Sequence, residues 1–426
     1  MLRTTIFMIT LLTVATAAHA APQILTLEQA LSIALEKSRE VARAGEYGKS
    51  VQGRYIEERA AALPQISLNS AYTASEDRGM PIQFGGGMKQ YDSSLGLSFS
   101  QPLYTWGKIG AAIKAAEIGL QTSDEQMKLA RQVTRRDVTI AFTNLLLAKE
   151  LLRVANEEME QKKRHHDESR NRFAAGVATD YDILAAEVAV ENAVPAQIRA
   201  ENQLKISKER LRFNLAVDYD VDAIGELAPK VETGKPFADA LKQALDKRPE
   251  LKDLNHRIGI YGQLVEIASA ENKPRIDMKG SGGWHRLEMG DMRSSGALWN
   301  VGVFLSFPFF DGMRSDGKVM QAKSDLASKE IEKRQLVDSI RLQVETSLND
   351  LREAGEIYQA LSGTVRQAEK LLSMAEKGFE FGVKIRLEVE DAQTNLLKAR
   401  VNRAKAAADY LMAKANLDWA MGGIGE

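Results

Sequence analysis

The 426-residue chain contains no cysteine, which excludes disulfides, thiolate metal sites and lipid attachment to a cysteine at the mature N-terminus. Proline is scarce, with 10 in all, and none occurs from Leu103 to Val194 or from Phe309 to Glu426. Charge of one sign is also missing. The formal net charge is −1 although 27% of residues are charged, which argues against a nucleic-acid partner. After the N-terminal segment no apolar run is long enough for a membrane helix. If the chain crosses a membrane, strands must do it, because only helices and closed barrels satisfy their backbones in lipid.

The N-terminus has the form of a signal peptide over residues 1–20. Arg3 supplies the positive region, Ile6 to Val14 the apolar one, and Ala18-His19-Ala20 the cleavage site. The apolar stretch is too short for a transmembrane anchor. Export without cysteine fits a Gram-negative envelope protein.

What is present is a sequence written twice. Gly96 to Lys108 (GLSFSQPLYTWGK) is answered by Gly302 to Arg314 (GVFLSFPFFDGMR), with Ser100 opposite Ser306, Pro102 opposite Pro308, Tyr104 opposite Phe310 and Lys108 opposite Arg314. Upstream, Leu27-Glu28-Gln29-Ala30-Leu31 answers Phe237-Ala238-Asp239-Ala240-Leu241, and Leu63-Pro64 answers Lys273-Pro274. Downstream, Phe173-Ala174-Ala175-Gly176-Val177 answers Phe379-Glu380-Phe381-Gly382-Val383, with Asp182 opposite Glu388. A unit of about two hundred residues is too long for a solenoid repeat and suits a duplicated half of one body.

The proline-free stretches are rich in strong helix formers. Val138, Phe142, Leu145 and Leu152 form one heptad-like seam, and Val337, Ile340, Val344, Ser347 and Leu351 another. Each stretch has one clear interruption, at Ala175-Gly176 and Phe381-Gly382, so each predicts a helical hairpin. A helix of about 65 residues rises about 100 Å, against a radius of gyration near 21 Å for a compact domain of roughly 400 residues. Such helices must project and pack against copies of themselves. Pro195 predicts a kink or break in the second helix of the first hairpin. Ahead of each hairpin lies a shorter helical segment. Thr26 and Gln29 form a capping box in the first copy, and Pro236 starts the second.

After Pro64 and Pro274 the apolar period changes to two. Ile66, Leu68, Ser70 and Tyr72 alternate with Ser67, Asn69 and Ala71, and Leu95, Leu97 and Phe99 alternate with small or polar residues. Ile276, Met278 and Gly280, then Val301, Val303, Leu305 and Phe307, do the same in the second copy. This is the signature of outer-membrane strands, with Tyr72, Tyr91, Tyr104, Trp106, Trp284 and Trp299 placed for an aromatic girdle. A single soluble hairpin could show the same alternation; two copies beside rod-length helices favour membrane strands. Glu76 to Gln90, with Gly85-Gly86-Gly87, and Leu287 to Gly296 predict exterior loops, which puts all the helices in the periplasm. Four strands cannot close a barrel, since known outer-membrane barrels start at eight; three copies would supply twelve.

The order of elements, the duplicated Pro-x-Tyr/Phe motif with its following Lys108 or Arg314, and Phe-x-x-Gly-Val with an acid six positions after the glycine together resemble TolC-type outer-membrane efflux proteins. The resemblance covers nearly the whole mature chain. It implies an internally duplicated α+β membrane protein: a homotrimer whose four strands per chain make a 12-stranded outer-membrane β-barrel continuous with a long periplasmic α-helical coiled-coil barrel. The expected divisions are a first repeat over 21–217 (β-hairpin about 64–102, long helices about 108–217), a linker over 218–236, a second repeat over 237–421 (β-hairpin about 274–308, long helices about 313–421) and a tail over 422–426. The family implies an exit duct working with a periplasmic adaptor and an inner-membrane pump of RND, ABC or MFS type, in small-molecule efflux or type I protein secretion.

Carried over residue by residue, the tip turns that would meet the adaptor are Phe173 to Asp182 and Phe379 to Asp391, with Gly176, Val177, Gly382 and Val383 at their centres. Glu388 and Asp391 match two inward-facing carboxylates ringing the family's pore, with glutamate at 388 where aspartate is usual. Lys384 matches a basic position in the closing network, which Asp182 would join from the first hairpin. Independently of the family, residues three apart share a helix face, and threefold symmetry would turn Glu388 and Asp391 into a carboxylate ring that attracts cations. A plain solvated helix face is the competing reading. No enzyme, cofactor or metal signature stands out. His165-His166 lies on a charged helix surface, and Gly85-Gly86-Gly87 opens no phosphate-binding helix. An elongated periplasmic coiled-coil scaffold or adhesin stalk is the alternative to a channel.

Overall fold

The computed structural model describes residues 22–77, 88–232 and 234–423. The signal-peptide segment and Gly85-Gly86-Gly87 lie outside the described residues, as do Thr233 of the linker and the end of the tail. The elements are β1 (Gln23–Leu25), α1 (Leu27–Lys37), α2 (Arg39–Ala60), β2 (Gln65–Asp77), β3 (Met88–Tyr104), α3 (Lys108–Ala174), α4 (Asp180–Leu215) and β4 (Val221–Ala223), then α5 (Phe237–Lys247), α6 (Pro249–Ser269), β5 (Arg275–Met289), β6 (Met292–Ser306), α7 (Arg314–Ser362), α8 (Thr364–Glu380) and α9 (Arg386–Ala420). Two compact units are present, and both draw on both halves of the sequence. Among the described residues, one comprises 22–38, 135–232 and 351–415; the other comprises 39–77, 88–134, 234–350 and 416–423.

The second unit holds a sheet of order β2-β3-β5-β6, antiparallel throughout. Its strands have 13, 17, 15 and 15 residues, each above the roughly 9–11 that a tilted strand needs to cross a bilayer. Register sorts the side chains onto two unlike faces. Ile66 pairs with Phe99, Phe99 with Gly280 and Gly280 with Val301; Leu68, Leu97, Gly282 and Trp299 form the next row. This face is apolar and open, with Ile66, Leu68, Leu97, Trp299, Val301, Val303 and Leu305 all more than half exposed. The opposite face is mainly polar, with Leu298 and Phe304 among the exceptions, and is bonded to itself. The Ser67 and Ser98 hydroxyls lie 2.8 Å apart, Asn69 donates to Ser98 Oγ at 2.8 Å, Asn300 donates to Ser281 Oγ at 2.7 Å, and His285 Nε2 meets Asp92 Oδ2 at 3.0 Å.

The expected second exterior loop, Leu287 to Gly296, is strand almost throughout. Only Gly290-Asp291 turns the chain, between paired Met289 and Met292. A two-residue turn beginning with glycine at positive φ matches the twist of the flanking strands, so the ladder runs to the tip. The middle of the sheet, where β3 meets β5, depends on Gly96 facing Gly283. A Cβ on Gly283 would strike the Leu95 carbonyl oxygen and the Gly96 Cα. Gly283→Val is therefore expected to part β3 from β5, and heat-modifiable gel mobility should show loss of the folded form.

The duplicated Pro-x-Tyr/Phe motif is a strand-to-helix corner. Trp106-Gly107 and Gly312-Met313 each pass through left-handed backbone. Thr105 and Asp311, equivalent in the two copies, then accept from the backbone four residues on: Ile109 N to Thr105 Oγ1 at 3.3 Å, and Ser315 N to Asp311 Oδ2 at 3.0 Å. The side-chain acceptors satisfy amides that have no partner inside their helix.

The same unit buries Arg248, 3% exposed, at the α5–α6 corner. Its guanidinium donates to Gln343 Oε1 at 2.6 Å and Glu250 Oε1 at 3.0 Å, and lies 4.7 Å from the Trp419 ring centroid. Ile340 and Val344 of the expected α7 seam are fully buried. In the other unit the parallel pair β1–β4 and helices α1, α3 and α4 enclose Leu25, Val138, Phe142, Leu145, Leu211 and Leu215. The capping box of Thr26 and Gln29 is in place at the start of α1.

Of the kink or break expected at Pro195, the break does not occur: α4 runs on through it. The second long stretch is interrupted twice, since Gly363 parts α7 from α8 ahead of the turn at Gly382. Beside that glycine, Ser362 Oγ donates to Gln359 O at 2.7 Å, so a poor helix former sits next to a hydroxyl that competes for backbone acceptors.

Candidate functional site: the two tip turns

Both turns belong to the unit that holds α4, α8 and most of α3 and α9. The turn after α3 ends with Gly176 at φ 74°, and the turn after α8 with Gly382 at φ 70°. In the first, Gly176 N donates to Phe173 O at 2.9 Å and Val177 N to Arg172 O at 3.0 Å; in the second, Gly382 N donates to Phe379 O at 3.0 Å and Val383 N to Gly378 O at 2.8 Å. These are two Schellman stops, which need a residue that enters the left-handed region without strain. Val177 and Val383 follow at 64% and 79% exposure, with Tyr181, Phe381, Ile385 and Leu387 also exposed.

The acid six residues past each glycine begins the next helix. Thr179 is the N-cap of α4 and Asp182 its third residue; the Asp182 carboxylate accepts from Thr179 N at 2.7 Å and from Thr179 Oγ1 at 2.8 Å. Glu388 occupies the equivalent place on α9, accepting from Ile385 N at 3.1 Å and pairing with Lys384. The Thr179 amide, then its hydroxyl, holds the Asp182 carboxyl below the ordinary carboxylate range; the Lys384 ammonium, then the Ile385 amide, does so for Glu388. A depressed carboxyl stabilises the folded turn at neutral pH, and this support is lost only as pH falls through the lowered value. Thr179→Ala is expected to speed amide exchange over the first turn of α4 roughly fivefold, equivalent to about 1 kcal/mol of cap, while the first turn of α9 exchanges as before.

Asp391, one turn on from Glu388, is exposed and has no ion pair among the described residues. Of the four residues expected at a gate, Lys384 and Glu388 are brought together and Asp182 is held by its own cap. The cap of Asp182 and the Lys384 pair of Glu388 each stay within their own turn.

A charged cluster behind the turns escapes a reading of the sequence. His165, expected on a free surface, has Nε2 2.9 Å from Glu390 Oε1. Arg386 donates to Glu168 Oε2 at 2.8 Å and its Nε lies 3.5 Å from Glu390 Oε1. Arg172 and Arg386 lie 6.0 and 5.7 Å from the Phe379 ring centroid. The signal is legible only in part: His165/Glu168 and Arg386/Glu390 share helix faces at spacings of three and four, but nothing in sequence says that α3 meets α9.

A four-stranded antiparallel sheet with one apolar face and long helices that turn at paired glycines define the class of fold. The sequence model described as "Outer membrane efflux protein" matches residues 30–217 and 240–423, so the chain belongs to that family, and its place is the outer membrane. It is 23% identical over 387 residues to the outer membrane protein TolC of Escherichia coli K12, across 87% of this chain and 76% of that one. It is 24% identical over 347 residues to the alkaline protease secretion protein AprF of Pseudomonas aeruginosa, across 79% and 71%. Its fold is that of the Campylobacter jejuni CmeC outer membrane channel, at a TM-score of 0.81 and 17% identity over 93% of this chain and 85% of that one. The open state of the Neisseria gonorrhoeae MtrE outer membrane channel matches at a TM-score of 0.76 and 21% identity, over 93% and 89%.

Proposed function

We propose that three copies of this outer-membrane efflux protein form the exit duct of a tripartite efflux or type I secretion machine. The observation that carries this reading is the four-stranded sheet. Its β2 and β6 edges pair with no strand among the described residues, one face is apolar and the other polar. Closing the edges copy to copy gives a twelve-stranded barrel with lipid outside and water inside, which removes the unpaired edges. The two halves, 21–217 and 237–421, act as duplicated units, each supplying one membrane hairpin and one helical hairpin. The helices form a coiled-coil tube in the periplasm. The exposed turns around Gly176-Val177 and Gly382-Val383 receive a periplasmic adaptor, which couples the duct to an inner-membrane pump. The chain passes cargo and carries out no chemistry on it.

The tip constriction is a ring made by the second turn. Because Lys384 already neutralises Glu388 and Asp182 caps its own helix, the free negative charge of the ring comes from Asp391. Single-channel recording tests this: Asp391→Ala should lose most of the cation preference, and Glu388→Ala/Asp391→Ala should lose little more. Unchanged preference in both variants would refute the ring. Outer-membrane fractionation with chemical crosslinking tests the assembly, with trimers in the membrane fraction as the expected result.

A further inference from the structure

We propose that the apolar face of the sheet ends in a phosphate-binding site for the glycolipid of the outer leaflet, lipopolysaccharide. Arg286, Arg293 and Lys89 build it, beside the Tyr72–Tyr91 ring pair. The site rests on the barrel reading, in which this face meets lipid. The end of the sheet away from the corners at Trp106 and Met313 then lies in the exterior leaflet. The ligand is an anionic sugar headgroup that carries phosphates above several acyl chains.

Register places the charges. Between β5 and β6, five successive rows from Ile276–Leu305 to Trp284–Ala297 bring no charged side chain to this face. The next row holds Tyr72, Ser93, Arg286 and Ser295, and the one beyond it Ala74, Tyr91, Glu288 and Arg293. Lys89 follows, opposite Glu76. Ile276 to Arg286 rises about 34 Å along the strand, or about 26 Å across a bilayer at a tilt near 40°, against an apolar band about 25 Å tall. Arg286 therefore stands where hydrocarbon gives way to headgroups. Because β5 and β6 stay paired as far as Met289 and Met292, these charges sit on a ladder and not on a loop.

The chemistry of the cluster suits phosphate. Glu288 pairs with Arg286 and steadies the guanidinium, whose side chain stays 55% exposed. Arg293 and Lys89 are exposed and have no ion pair among the described residues. Even with Glu288 and Glu76 counted, the cluster keeps a positive excess. Cations on the margin of an apolar face are costly without a counter-charge, and lipid phosphate supplies one. Ser93 and Ser295 flank Arg286 on the neighbouring strands. Their small hydroxyls leave the guanidinium fork open to two phosphate oxygens. Beside it the Tyr72 and Tyr91 rings stack with centroids 6.4 Å apart, and amphipathic rings favour the headgroup level. Leu95, Leu97 and Trp299, each more than half exposed, continue the surface downward for acyl chains.

Native mass spectrometry of the delipidated full chain in detergent tests this. The probes are bisphosphorylated lipid A, its dephosphorylated form, phosphatidylglycerol and inorganic phosphate. The phosphorylated lipid A should bind, and the other three at least about tenfold more weakly. Arg286→Gln/Arg293→Gln should lose at least about tenfold in affinity for the phosphorylated form. Where the double variant fails to assemble, Arg293→Gln and Lys89→Gln singly should show the same loss in smaller steps. Lys279→Gln, on the opposite face in the row of Ser100, should bind as the wild type does. Undiminished binding by the arginine variants, equal binding of dephosphorylated lipid A or phosphatidylglycerol, or an equal loss in Lys279→Gln overturns the site. Wild-type protein that assembles in the outer membrane yet binds no phosphorylated lipid A overturns the lipid site alone. Protein found outside that membrane overturns the barrel reading and the site with it.

Discussion

Val303→Arg is expected to keep the protein out of the outer membrane. Val303 is 65% exposed in the row that joins Met278 to the β6 edge, on the apolar face of the sheet. If that face meets lipid, an arginine on it costs between about 1 kcal/mol toward the interface and about 4 kcal/mol at the midplane per strand. Three copies place three such charges in one barrel, which multiplies that cost about threefold per assembly. The matched control is Asn300→Arg, on the polar face beside Ser281. There the guanidinium would enter a water-filled lumen, and assembly should survive. Membrane fractionation of the two variants compares the faces directly. Equal assembly of both would mean that the faces do not divide lipid from water.

The second large effect is expected at Arg248. This guanidinium is almost wholly buried and ties α6 to α7 through Gln343, to Glu250 within its own corner, and to the Trp419 ring at the end of α9. Removing one partner of a buried ion pair leaves the other charge without compensation, which costs about 3–5 kcal/mol. Arg248→Ala should therefore lower the urea midpoint sharply. Adding Glu250→Gln should recover part of the loss, because the stranded carboxylate is then gone. An unchanged midpoint in Arg248→Ala would mean that solvent reaches this corner far more than its 3% exposure indicates.

Much of the architecture is legible in the sequence because its signals are local. Alternation after Pro64 and Pro274 places the strands, since a period of two puts successive side chains on opposite faces and does not fit a helix. The recurring residue pairs also point to real local structures. Thr105 and Asp311 cap α3 and α7, Gly176 and Gly382 stop α3 and α8, and Asp182 and Glu388 lie in the first turns of α4 and α9. What the spacing of Asp182 and Glu388 does not reveal is that both carboxylates have a structural task at the helix start. The acid six residues past the glycine is explained by capping alone, which leaves Asp391 as the free charge. Two other features have the same root. The break at Gly363 and the continuity through Pro195 depend on how neighbouring helices support a backbone, not on propensity. His165 reads as a surface residue in the sequence because its partner Glu390 lies 225 positions away, on a helix whose packing no periodicity reports.

Planar-bilayer recording of the purified outer-membrane form decides whether three copies of this chain build a gated duct: the expected result is a trimer that conducts in small, cation-preferring steps, with the preference falling in Asp391→Ala. A protein recovered as a soluble periplasmic rod that carries no current under any condition would contradict it, and would return the coiled-coil stalk as the better reading.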